Sequence, residues 1–102
     1  MKTLENVEEI ENSSGYVLLD FSALWCKPCK WMIDNSLPKI QIMFPSLKIF
    51  LIDVDDFPDF SHKKYKVGAF PTFILLKDGE EVDRVYGARE GMIINMLKKM
   101  NS

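Results

Sequence analysis

Between residues 16 and 55 the chain reads as strand, helix, strand, an order that leaves few folds open. The first run, YVLLDFSA (16–23), is apolar and aromatic with little alternation, as in a strand covered on both faces. LKIFLIDVD (47–55) reads as a second buried strand. The stretch CKPCKWMIDNSLPKIQIMF (26–44) reads helical. Pro28 has the fixed φ tolerated in a first turn, and Trp31, Met32, Leu37, Ile40 and Met43 form a broad apolar stripe. Pro38 is expected to kink or interrupt this helix.

The flanking segments complete the pattern. ENVEEIEN (5–12) predicts a short first helix, with Asn6 as N-cap, Glu9 three positions on, and Val7 and Ile10 apolar. DFPDFSHKKYKV (56–67) predicts a short helix turning Phe60, Tyr65 and Val67 to the core. TFILLKDGEEVDRVYG (72–87) predicts a β-hairpin turning at Asp78-Gly79. REGMIINMLKKM (89–100) sets Met92, Ile93, Met96, Leu97 and Met100 at helical spacing, with Lys98 and Lys99 near the negative end of the helix dipole. Alternating strand and helix followed by a hairpin predict an α/β chain: a mixed sheet of four or five strands with helices on both faces. At 102 residues this is one domain, with no internal repeat or linker.

Composition narrows the function. Thirteen Lys and Arg against fifteen Asp and Glu give a formal charge of -2, so no overall field recruits nucleic acid or an anionic membrane. The start, MKTLENVEEIENSS (1–14), is acidic without an apolar core, and no later stretch is long enough to span a membrane. The expectation is a cytoplasmic protein with neither a nucleic-acid nor a membrane partner. His62, Lys63, Lys64 and Lys66 form the one basic cluster and read as a solvated helix face.

Cys26 and Cys29 are the only cysteines, too few for a disulfide scaffold in a domain of this size. Their place at a strand-to-helix junction puts Cys26 at a helix N-terminus, where free N–H groups and the dipole favour a thiolate. Such a sulfur is both nucleophile and leaving group, and Cys29, one turn on, can resolve a mixed disulfide. Two other readings stand beside this one. Zinc needs four ligands, and His62 is the one further ligand of that type. Inert buried thiols fit poorly with Pro28 between the pair and lysines at 27 and 30. Asp20, alone in VLLDFSAL, is either buried, with its pKa raised enough to act as a base near neutrality, or solvated at a strand end.

LLDFSALWCKPCK (18–30) resembles the active-site segment of thioredoxins, an Asp-Phe on a strand followed by Trp-Cys-Gly-Pro-Cys-Lys. FLIDVDD (50–56) is similar to that family's central strand, VGAFPTFILLKDGEEV (67–82) to its proline loop and hairpin, and VYGA (85–88) to its glycine turn. The resemblance covers about nine tenths of the chain in order.

It implies a thioredoxin fold and a thiol–disulfide oxidoreductase. Cys26 attacks a disulfide of a client protein, Cys29 attacks Cys26 to release it, and the two end as a disulfide. Asp20 matches the buried aspartate that accepts or relays the proton of the resolving cysteine. Pro71 matches a cis-proline facing the disulfide; without the cysteine motif a trans loop proline is the default. Trp25, Lys27, Pro28, Ala69, Phe70, Pro71, Gly87 and Ala88 frame the docking rim. No cofactor is bound; electrons come from NADPH through a thioredoxin reductase, and the protein acts as a monomer.

The sequence departs from the resembled family at Lys27, Leu51 and Ser22, and in the kinking proline of the active-site helix, which falls later, at Pro38, with one residue more before the next strand. Lys27 replaces glycine and adds a positive charge beside Cys26, which makes the couple more oxidising if it stabilises the thiolate. Leu51 stands where many members place a lysine near the aspartate, and Ser22 where tryptophan is frequent. The rival functions are a disulfide oxidase or isomerase and a thioredoxin-like docking subunit. Metal binding is a further rival, with no metal site expected.

Overall fold

The computed structural model describes residues 1–101. One five-stranded sheet organises them: β1 (Lys2–Thr3), β2 (Tyr16–Ser22), β3 (Lys48–Asp53), β4 (Thr72–Lys77) and β5 (Glu80–Tyr86), in the order β1-β3-β2-β4-β5. β3 runs parallel to both β1 and β2, whereas β4 is antiparallel to β2 and to β5. Helices are α1 (Glu8–Glu11), α2 (Lys27–Trp31), α3 (Leu37–Met43) and α4 (Glu90–Lys98).

β2 lies at the centre, and its alternate side chains enter two separate cores. Val17, Leu19 and Phe21 join Ile10, Phe50, Ile52, Tyr65 and Ile74 on one face. Leu18 joins Met32, Leu37, Ile40, Phe73, Ile93 and Leu97 on the other. Burial on both sides explains why this strand reads as a continuous apolar run. Phe21 stacks at tilted angles on Phe60 and Tyr65, at 6.1 and 5.7 Å between ring centres. That contact ties the segment after β3 to the strand that carries the site.

β1 was not visible as a strand, because two exposed residues show no alternation. It is held by its parallel pairing to Phe50 and Leu51 and by Lys2 Nζ against Glu9, 2.9 Å. Asn6 makes no side-chain cap; α1 is bounded by Val7, and the Glu9 carboxylate accepts the N–H groups of Glu5 and Asn6 instead.

The predicted helix from residue 26 is interrupted, as Pro38 suggested. Met32–Ser36 form a π-helical turn between α2 and α3. A proline cannot donate to the carbonyl four residues back and its ring crowds that turn, so the ladder slips to a wider spacing. The slip also turns the expected stripe: Met32, Leu37 and Ile40 are buried, while Trp31 and Met43 are exposed. Likewise Met92 of α4 faces outward, while Ile93, Met96 and Leu97 fill the core. The segment after β3 is π-helical over Asp59–Lys64, with Tyr65 and Val67 buried and Phe60 half-buried.

The hairpin turns at Asp78 and Gly79, both at positive φ (50° and 85°), the combination that matches strand twist in a two-residue turn. The pairing slips between Leu75 and Leu76, which leaves Val82 bulged and exposed. Arg84 on β5 donates to both Glu81 oxygens and to the Tyr65 carbonyl at 3.0 Å, fastening the hairpin to the loop that leads into Pro71.

Candidate active site

Cys26 is the N-cap residue of α2. Its backbone is extended (φ -92°, ψ 109°), and its Sγ accepts the Cys29 N–H at 3.3 Å. Pro28, inside the first turn, removes one donor that no residue could satisfy there. The two cysteines are joined as a disulfide, with Cα atoms 5.3 Å apart. Cys26 retains 7% exposure and Cys29 only 1%, so both are buried and Cys26 is the less covered of the two. In the reduced protein the same N–H and the helix N-terminus face a thiolate on Cys26. Lys27 and Pro28 are exposed at the start of the helix, and Lys30 pairs with Asp34 at 2.8 Å.

Asp20 is fully buried, not solvated. β2 sets it beside Leu51 of β3 and Phe73 of β4, so no cation stands at either neighbouring position. Oδ1 accepts the Ser22 hydroxyl at 2.5 Å, and Oδ2 has no partner among the described residues. Burial pushes the Asp20 carboxyl up to about 7, with the Ser22 hydrogen bond opposing it in part.

The rim assembles from three loops. Trp25 is two-thirds exposed, with its ring edge-on to Phe70 at 5.6 Å. The Phe70–Pro71 peptide is cis, and Pro71 is buried beneath exposed Ala69. Thr72 Oγ1 donates to the Ala69 carbonyl, and Gly87 N–H donates to the Pro71 carbonyl at 2.7 Å, which brings the glycine turn against the proline loop. Gly87 has φ +87°, a backbone that a side chain strains. Ala88 is exposed just beyond it. His62, from the basic cluster, lies edge-on to Phe70 at 6.4 Å with Nδ1 2.9 Å from the Val67 carbonyl. Asp55 went unnoticed in the sequence: its carboxylate accepts the Trp25 indole N–H at 3.1 Å. Only its place in an acidic run after β3 hinted at it.

Among the described residues, no group of three or more His, Cys, Asp or Glu is placed to hold a metal ion. No helix there is long and apolar enough to cross a membrane.

A family model, Thioredoxin, matches residues 2–99. This chain belongs to the thioredoxin family. A thioredoxin H-type of Fagopyrum esculentum is 36% identical over 93 residues, spanning 91% of this chain and 78% of the relative. Thioredoxin H2 of Arabidopsis thaliana is 35% identical over 94 residues, 92% of this chain and 69% of its own length. Among solved structures, oxidised mitochondrial thioredoxin 3 of Saccharomyces cerevisiae superposes with a TM-score of 0.88 at 33% identity, covering 97% of this chain and 94% of that one. Fasciola hepatica thioredoxin gives 0.86 at 30%, covering 98% and 99%. The sheet and its flanking helices are thus a thioredoxin fold. With Trp25 and a cysteine pair at the head of α2, this family member is a thiol–disulfide oxidoreductase.

Proposed function

We propose that this thioredoxin-family chain reduces disulfides of client proteins in the cytoplasm as a single-domain monomer. The observation that carries the reading is the asymmetry of the pair: Cys26 caps α2 and is the less buried cysteine, whereas Cys29 is almost wholly covered. The Cys26 thiolate attacks a client disulfide, forming a Cys26–client bond and releasing one client thiolate. Cys29 then attacks Cys26 Sγ and releases the second. Two electrons pass to the client, and Cys26 and Cys29 are left bonded to each other. Asp20 takes the proton from the Cys29 thiol, as a carboxylate shifted toward neutrality by burial is suited to do.

Trp25, Lys27, Pro28, Ala69, Phe70, Pro71, Gly87 and Ala88 form the surface on which an extended client segment docks. Among the described residues the Phe70 backbone makes no hydrogen bond, so it can pair with that segment, a mode in which main-chain hydrogen bonds give affinity. The chain needs no cofactor of its own; a thioredoxin reductase using NADPH returns the electrons. Kinship with plant H-type thioredoxins supports this reading.

The test is reduction of a disulfide-bonded protein by dithiothreitol with the chain as catalyst. Cys26→Ser abolishes catalysis, and Cys29→Ser accumulates a covalent client adduct released by reductant. A parent chain that does not accelerate the reduction points instead to a docking subunit, whose function survives replacement of both cysteines by serine. Lys27, exposed beside Cys26, favours the second reading, a disulfide donor. An oxidising equilibrium potential in a glutathione buffer selects that direction.

A further inference from the structure

The basic cluster of the π-helical segment and the turn after it divides in the fold. Lys63 pairs with Asp59 at 3.6 Å. Lys64 sets its ammonium over the Phe60 and Tyr65 rings, 5.6 and 5.7 Å from their centres, and Lys66 donates to the Lys63 carbonyl at 3.3 Å. His62 turns to the docking rim instead. Its ring meets Phe70 edge-on, as Trp25 does from the active-site loop.

A carbonyl only accepts, so the Nδ1 that lies 2.9 Å from the Val67 carbonyl carries the ring proton. The Val67 N–H in turn donates to the Ser61 carbonyl at 2.9 Å, so this residue is held through both of its backbone groups. Lys66 just before it has φ 57°, a left-handed backbone that a lysine keeps only where its surroundings hold it. The turn therefore sets the approach to Phe70. Among the described residues Nε2 of the exposed imidazole has no partner. With Nδ1 protonated, Nε2 accepts a hydrogen bond when the ring is neutral and donates one when it is charged.

We propose that His62 is a specificity-determining residue of the client surface: it seats Phe70 and, when protonated, binds a carboxylate flanking the client disulfide. The favoured client thus carries an acidic side chain beside its cysteine. The proposal rests on the reading of this rim as the surface on which clients dock.

Charge around the ring suits such a client. Among the described residues no carboxylate lies within ion-pair distance of the imidazole. On its own segment Asp59 is engaged by Lys63, and Lys63 and Lys66 stay exposed. Across the rim the Asp55 carboxylate holds the Trp25 indole, and Lys27 stands exposed at the head of α2. Asp56 lines a groove with Glu11 of α1. From the hairpin, Arg84 reaches the Tyr65 carbonyl while bound to Glu81.

The test uses the full chain and disulfide-bonded peptides that differ only in carrying Glu or Gln beside the cysteines. The readout is the ratio of kcat/KM for the two peptides at two pH values, from which the titrations of Cys26 and Asp20 cancel. The parent is expected to favour the Glu peptide about threefold more at about pH 5.5 than at about pH 8. His62→Ala and His62→Asn lose this pH dependence, and His62→Lys keeps the preference at both pH values. A ratio in the parent that does not change with pH, or one that changes equally in His62→Ala, overturns the carboxylate contact. For the Gln peptide, His62→Ala is expected to raise KM about twofold, and His62→Asn, which can still donate to the Val67 carbonyl, to restore it. Equal KM values in all three chains overturn the seating of Phe70. A Phe70→Ala chain with the parent's KM for both peptides overturns the docking reading itself, whatever His62 does to the ratio.

Discussion

The indole N–H of Trp25 donates to the Asp55 carboxylate at 3.1 Å while the ring stands edge-on to Phe70, so one exposed side chain is held from two directions. An aromatic so anchored loses little freedom when a client docks. Asp55→Ala is expected to raise KM for a protein client about threefold, near the loss of one hydrogen bond. The equilibrium potential of the cysteine pair stays as in the parent. Steady-state kinetics and a redox-buffer titration check the two halves.

Asp20 imposes a pH dependence on stability. Its folded pKa of about 7 lies above the unfolded value near 3.8, so between these the native chain holds a proton that the unfolded chain has released. Stability from this group is intact below about pH 4, falls as pH rises, and is lost above about pH 7, a change of order 4 kcal/mol. Asp20→Asn, which cannot ionise, is therefore expected to match the parent near pH 4 and exceed it in stability at pH 8. Denaturant unfolding of the oxidised proteins at both pH values measures the difference.

Gly87 occupies φ +87° with an N–H bonded to Pro71, and a Cβ there meets nothing closer than Arg89 Nε at 3.9 Å. Backbone strain, not crowding, is the cost of a substitution. Gly87→Ala is expected to destabilise by about 1 to 2 kcal/mol and to weaken client reduction as the turn shifts from Pro71. A thermal melt beside the kinetic assay separates the two effects.

Lys27 is exposed at the head of α2, where solvent screens its charge. Lys27→Gly is expected to make the couple more reducing, by no more than about 20 mV for a surface charge. Thiol alkylation after equilibration in glutathione buffers gives the value. A shift toward oxidising potentials contradicts the thiolate-stabilising role of Lys27.

The strand carrying Asp20, the helix beginning at Cys26 and the hairpin at Asp78-Gly79 were all legible, because each depends on residues within one turn or one strand. The π-helical turn was legible as an interruption at Pro38 but not in its register, which is set by burying Met32, Leu37 and Ile40 together. β1 left no local signal, and the Trp25–Asp55 bond none beyond the acidic run after β3. Both are made by partners about thirty or more residues away in the chain.

By itself the sequence determined that Cys26 caps a helix with Cys29 one turn beneath it, since an N-cap needs only the next three residues. Tertiary structure alone decided what surrounds that pair. Placing β2 between β3 and β4 set Leu51 and Phe73 beside Asp20, removing water and charge from it. The same antiparallel β4–β5 pairing carried Gly87 back to Pro71. Desolvation and docking geometry arise from groups far apart in the chain, so they exist only once the sheet is closed.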